Sequence, residues 1–537
     1  MSQHSGLKPT PMCVPIGAMP ARAALLGLLF AVVSVNARAQ DPIHIEGEVP
    51  PGDETHFFVP FEVPEGIVEI EIRHDDMSSA NILDWGLDDP NGFRGWGGGN
   101  SEPAIVGVDA ASRSYVPGPI QAGTWEVVVG KARIDDPPGR YVIDIFLRTE
   151  ATLPEQPRST YADPGVLNAE ARWYAGDFHV HSRQSGDATP TMRENMELAE
   201  EVGLDFIVLT EHNTNSGLSL FGSIQPDFPD LLMLPGVEWT TYSGHANAFG
   251  ATEWVDHKIG VRGVTTEAAI EAFHEQGALF SINHPTVPGD NFCIGCPWEI
   301  EVDPETIDGV EVMSAIWRAV DYWEALVADG SRAAAMGGSD DHRGGEGSGP
   351  LYTPLGSPTT MVYAENLSVD AILEGIRAGR TVVKFNGIDD PMLVTELSGE
   401  RVGDTVFADS STLSAEVRGG DGLTLLVIKN GEEIDRVEIT GDSYTHTRQV
   451  TAPSEGEDRY RHEVVQGLEP QTASSYVWLR AAEPMPDAGV PDGGTDPSSS
   501  SGCSCRVVPR GGYDTGFSLA LGFGLYVWLR RSRRRST

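Results

Sequence analysis

Gly176-Asp177-Phe178-His179-Val180-His181-Ser182 closes a strand-like run that begins near Trp173. Alternate side chains of a strand share a face, so His179 and His181 can reach one cation together. A single His-x-His pair is a weak signal that core packing explains equally well; its weight here comes from repetition. Phe206 to Thr210 ends in Glu211-His212-Asn213, Leu231 to Val237 in Glu238, Ala278 to Asn283 in His284, and Ala333 to Ser339 in Asp340-Asp341-His342. His245 immediately precedes a further apolar stretch, Ala246 to Phe249.

These runs belong to a series between about Arg172 and Phe385, completed by Gly309 to Met313, Thr360 to Tyr363 and Thr381 to Phe385. Helical patterns run from about Thr191 to Val202, Thr266 to Gln276 and Ser368 to Ala378. Such alternation predicts a parallel sheet, and one of this length predicts a distorted β/α barrel whose strand C-terminal ends carry the chemistry. Imidazoles and carboxylates without thiolates suit zinc, manganese or iron, and carboxylates bridge cations, so the set points to a multinuclear hydrolytic centre. Beside it, the Arg343 guanidinium could clamp a phosphate or a developing oxyanion, or simply be a surface arginine in a Gly-rich loop. His44, His56, His257, His274, His446 and His462 lie outside the motifs and are read as ordinary.

The order His-x-His, Glu-His-Asn, Gly-Val-Glu, a following His, Asn-His-Pro and Ser-Asp-x-His resembles the polymerase and histidinol phosphatase (PHP) domain, and within it the CehA/McbA-type metallohydrolases. The resemblance covers roughly residues 172 to 386 and implies a TIM-like barrel of seven β/α units with two or three divalent ions. Carried over by position, it assigns one ion to His179, His181, Glu238 and Asp340. A second shares Glu238 with His245 and His284, and a third takes Asp187, His212 and His342. The sequence departs from the family pattern in two places. The acid after the first motif is displaced by one position in Ser185-Gly186-Asp187, and Glu211 stands where Asp is commoner.

The flanks read differently. A chain of 537 residues exceeds what one hydrophobic core organises, so several domains are expected. Residues 41–150 alternate as short strands with Asp, Gly and Pro turns, a β-sandwich resembling the modules appended to secreted peptidases, with an accessory binding or stabilising role. Strand character returns in 387–482 as a second sandwich, followed by a Pro, Asp, Gly and Ser-rich linker over 483–502. At the start, Arg22, the apolar run Ala23 to Val35 and Ala37-Arg38-Ala39 form a signal peptide over 1–39. At the end, 503–537 carries Cys503, an apolar stretch and an arginine cluster, resembling a MYXO-CTERM sorting tail; a permanent membrane helix is the alternative. The chain is therefore expected to be exported and held at the surface or outer membrane, with release after processing left open. In that oxidising setting Cys293 and Cys296 read as a disulfide stapling their loop.

With 37 basic against 79 acidic residues the net charge is -42, which disfavours nucleic acid as a partner. The expected function is hydrolysis of a small-molecule ester by activated water, a phosphoester first and a carboxyl or carbamate ester second. A surface adhesin with an idle barrel remains the reading from a different class.

Overall fold

The computed structural model describes residues 41–289, 293–314, 317–346 and 353–482. All of them fall within one compact unit, Met1–Glu483. The expected signal peptide, linker and sorting tail lie outside the described residues. Among those described, no helix is long and apolar enough to cross a membrane.

The N-terminal part is two four-stranded antiparallel sheets face to face. One orders Ile43–Glu48, Arg140–Arg148, Glu69–Asp75 and Ala104–Gly107; the other orders His56–Val63, Gly123–Arg133, Ile82–Asp89 and Gly92–Gly98. Alternation explains the pairing. Trp125, Val127 and Val129 of one sheet and Ile70, Ile72, Ile143 and Ile145 of the other are buried in a single core.

In the central part, Arg172–Val180, Phe206–His212 and Leu232–Thr241 pair in parallel, as do Leu279–Ile282, Gly309–Ser314 and Ala334–Gly338. Gly244–Phe249 joins the two sets and is antiparallel to both neighbours. The reason is the connection: Tyr242-Ser243 is a tight turn, and a parallel return needs a crossover of about a dozen residues or more. The distorted barrel of seven β/α units expected from the sequence is met in its coarser part, a multidomain, sheet-rich architecture, with one antiparallel strand among the parallel ones. Among the described residues the strand ladder runs as an open path. Its first and last parallel strands meet just past their ends, where Asp340 N–H donates to His179 O (2.8 Å) and His181 N–H donates to Asp341 O (3.1 Å).

Helices Met192–Val202, Thr266–Glu275 and Val369–Arg377 form where the pattern predicted them; Val320–Ala328 has no counterpart in that reading. The first is fixed at both ends, by a capping box between Thr191 and Glu194 and by Gly203 in the left-handed conformation.

The central sheet does not stop at residue 386. Thr381–Lys384 pairs antiparallel with Glu469–Ser474, so the C-terminal strands Thr424–Lys429, Glu457–Gln466 and Val477–Arg480 extend the same sixteen-stranded sheet. A separate four-stranded sheet, Glu400–Arg401, Met392–Leu397, Ser410–Arg418 and Ser443–Thr451, packs on it through Leu393, Ala415, Val417, Leu425 and Val464.

One close approach positions the first motif. A Cβ on Gly176 would lie 2.2 Å from the buried Phe206 ring of the adjacent strand. Gly176→Ala should therefore lower unfolding stability by about 1–3 kcal/mol, the usual cost of overpacking, read as a shifted denaturant midpoint. An unchanged midpoint would contradict the packing of these two strands.

Candidate metal centre

His179 and His181 sit at the end of the first parallel strand, both fully buried. Their Nδ1 sides are engaged, His179 with Glu311 Oε1 at 2.7 Å and His181 with Ser185 Oγ at 2.7 Å. Among the described residues their Nε2 atoms have no hydrogen-bond partner. With each Nδ1 proton donated outward, each Nε2 presents a lone pair inward, the arrangement of metal-bound histidines. Facing them, Asp340 Oδ1 lies 3.2 and 3.1 Å away, and the Glu238 carboxylate 3.5 and 3.7 Å. Donors held about 2.1 Å from one tetrahedral ion would stand about 3.4 Å apart, close to the spacings by which His179 and His181 face Glu238 and Asp340.

Glu238 also faces a second group, through the oxygen it turns to His179. Its Oε1 is 3.3 Å from His245 Nδ1 and 3.4 Å from His284 Nε2. Donation from His245 Nε2 to the Ile294 carbonyl (2.8 Å) leaves the Nδ1 lone pair toward Glu238. A third group closes on Asp187, whose Oδ2 is 3.4 Å from His212 Nε2 and 3.5 Å from His342 Nε2, while the two nitrogens are 3.2 Å apart. The Nδ1 proton of His212 goes to Glu238 Oε2 and that of His342 to the Asp340 carbonyl. Two imidazoles and a carboxylate thus converge on one point, an arrangement that a cation would complete.

Against burial, the facing carboxylates hold His179 and His212 well above the ordinary imidazole range and raise His342 to about 9, so the cluster calls for positive charge. Burial opposes the charge on Glu238, yet His212, His179 and His245 hold it well below the usual carboxylate range. Burial and the nearby His342 and His212 push His181 down to about 3, so it stays neutral and free to ligate. The backbone is strained where ligands are presented: Asn213, His284 and Asp340 have φ of 51°, 28° and 57°, left-handed values rare for residues with side chains.

All nine sequence-derived ligand residues are brought together; Arg343 is not. Its side chain is exposed, and it stands outside the lining of the cavity over the cluster. Asp341, rather than ligating, accepts the backbone N–H groups of Arg343, Gly345 and Leu355 and folds that loop. Glu211 is likewise structural: it accepts from Ser182 Oγ and N–H, and burial raises it to about 7. Cys293 and Cys296 form a disulfide beside His245 and His284.

Sequence reasoning missed Glu311, fully buried, which receives His179 Nδ1–H and the His284 backbone N–H (2.9 Å). A lone carboxylate inside the apolar run Gly309 to Met313 was the signal available. It expected the N-terminal sheets but not that they roof a cavity of about 520 Å³ above the cluster. They dock by Ser114 Oγ to Gln184 O (2.8 Å), Thr214 Oγ1 to Ser114 O (3.0 Å) and stacking of Phe93 on Trp254.

No family model matches the chain, and no curated protein matches it. Among solved structures, the chain is similar to a two-domain Bacteroides vulgatus protein containing a predicted PHP-like metal-dependent phosphoesterase. The identity is 18%, over 60% of this chain and 99% of that one, with a TM-score of 0.32. It is also similar to a proposed metal-dependent phosphoesterase from Bifidobacterium adolescentis, 18% identical over 33% of this chain and 92% of that one, with a TM-score of 0.25. A domain from Pyrococcus furiosus, the CARDB domain, matches at 17% identity over 18% of this chain and 98% of its own length, with a TM-score of 0.14. Likeness at this level does not by itself assign a reaction.

Glu311→Gln keeps the shape but weakens the acceptor behind His179. Bound metal, measured by elemental analysis after dialysis against a chelator series, should show an affinity lower by about 10- to 100-fold. Parental affinity would mean that Glu311 does not orient the ligand.

Proposed function

We propose that the protein is a metal-dependent hydrolase of the PHP type that cleaves a small-molecule ester with activated water, a phosphoester before a carboxyl or carbamate ester. The observation that carries this reading is the pair of unpartnered, buried Nε2 atoms of His179 and His181 facing Glu238 and Asp340. Nothing in ordinary core packing stabilises such lone pairs against carboxylates.

His179, His181, Glu238 and Asp340 would hold one divalent ion, zinc, manganese or iron. Glu238 with His245 and His284 would hold a second, and Asp187, His212 and His342 a third. When bound, such ions supply Lewis acidity toward the ester oxygen and bring the pKa of water toward neutrality. Glu238 acts as the shared carboxylate, and Asn283 Nδ2 (3.0 Å) and Thr240 Oγ1 (3.2 Å) fix its two oxygens. Glu311 and Ser185 set the tautomers of His179 and His181. The Cys293–Cys296 staple holds the Ile294 carbonyl against His245. No side-chain nucleophile is required, and Arg343 is assigned no contact with substrate.

Glu238→Ala should remove more metal than Asp187→Ala, because two ions share Glu238, and should abolish hydrolysis of aryl phosphates, aryl esters and carbamates alike. Equal metal losses would overturn the bridging assignment. Less than one ion per parental chain, with no activity on any ester, would favour the adhesin reading.

The proposal includes export through residues 1–39 and attachment at the C-terminal tail, supported by the motif order around Cys503. Cys503→Ala should change the mass and the surface retention of the mature protein in fractionation, whereas a permanent membrane helix would be indifferent to it.

A further inference from the structure

The cavity over the cluster has a second wall that contains none of the ligands assigned above. It is made by His56, Asp84 and Trp96 of the N-terminal sheets together with Tyr242 and His257 of the central part. Tyr242 lies in the tight turn between Glu238 and His245, so one hairpin carries both ligands and a piece of this wall. Its hydroxyl donates to Asp84 Oδ2 at 2.7 Å. A Cβ on Gly130 would sit 2.1 Å from that hydroxyl, so the sheet needs glycine there for the contact to form.

Four rings cluster on this side. His56 stacks on Tyr242, with centroids 5.2 Å apart and planes 10° apart, and Trp96 meets His257 edge-on at 4.5 Å. His56 also lies against Trp96 at 5.5 Å. Both imidazoles are neutral. Burial, with Lys258 nearby, pushes His56 down to about 3 and His257 well below its ordinary value. A neutral imidazole offers one donor and one acceptor. Yet among the described residues neither ring nitrogen of His257 has a partner, nor has Nε2 of His56, although the two residues are only 3% and 4% exposed. Buried polar atoms are almost always hydrogen-bonded, so unpartnered imidazoles on residues that line a roomy cavity call for a ligand. Asp84 adds a carboxylate, and among the described residues no lysine or arginine lines the cavity.

From these features we infer that this wall is the leaving-group subsite, and that it takes an uncharged, flat-faced ring bearing hydroxyl or amino donors on its rim. The aromatic patch accepts a flat apolar face, since rings pair in offset or edge-on contacts. The free imidazole nitrogens and Asp84 accept and donate along the rim, while Asp84 and Asp187 repel an anionic leaving group. This deepens the ester-hydrolase reading and rests on it only for the word "leaving". It gives the N-terminal sheets a part in substrate choice in place of an accessory role.

The test is binding, which needs no turnover. Metal-loaded full-length protein is titrated calorimetrically with two free ring alcohols, resorcinol and methyl glucoside. At least one should bind; resorcinol alone would assign an aromatic ring and methyl glucoside alone a sugar ring. Trp96→Ala should weaken binding by at least about tenfold, and Trp96→Phe should restore part of it. Asp84→Asn, which keeps the shape and can still accept from Tyr242, should weaken binding comparably without loss of metal. Failure of both alcohols to bind the parent, or parental binding in both Trp96→Ala and Asp84→Asn, overturns the subsite. Ring-alcohol binding that obeys these variants in a protein without ester hydrolysis would keep the subsite and discard the reaction.

Discussion

Glu238 is a carboxylate with no solvent exposure, and five imidazoles, those of His179, His181, His212, His245 and His284, stand within 2.5 to 3.7 Å of its oxygens. An isolated buried charge is expensive enough that a protein either neutralises it or surrounds it with counter-charge. Here His212, His179 and His245 supply that counter-charge and hold the Glu238 carboxylate well below its usual range. The central sheet is arranged around that requirement. Parallel strands bring His179 and Asp340 to one end of the fold, and the antiparallel strand Gly244–Phe249 turns His245 back beside Glu238.

The supporting shell has one logic throughout. A ligand's far nitrogen is tied to an oxygen: Glu311 for His179, Ser185 for His181, the Ile294 carbonyl for His245 and the Asp340 carbonyl for His342. Such ties fix ring orientation and tautomer together. Asp177 ties the two ends of the parallel series from below, accepting from the His179, Ser339 and Gly356 backbone N–H groups, and burial raises it to about 6. The left-handed conformations of Asn213, His284 and Asp340 are tolerated because this network over-determines the positions they occupy.

The nine candidate ligands were legible in the sequence because strand chemistry is periodic. An apolar run ending in His, Glu or Asp places that side chain at a strand end whatever the rest of the fold does, and repetition of the pattern made coincidence a poor explanation. The departure at Ser185-Gly186-Asp187 did not exclude Asp187, since Gly186, with φ of 94°, lets the loop turn the acid back toward His212 and His342. Arg343 looked equally placed by its neighbours in sequence, yet its loop is folded by Asp341 and leaves the guanidinium in solvent.

What the sequence determined alone was the inventory: which side chains can ligate, that they fall at the ends of apolar runs, and that β-rich segments flank them. Those properties depend on residues near one another in the chain. Tertiary structure alone decided the direction of Gly244–Phe249, the merging of the central sheet with the C-terminal strands through Thr381–Lys384, and the partnership of Glu311 with a histidine 132 residues away. It also decided that His56 and His257, unremarkable by position, share a cavity wall with Trp96 and Asp84. These are contacts between distant segments, set by how whole sheets pack, and no local period or motif encodes them.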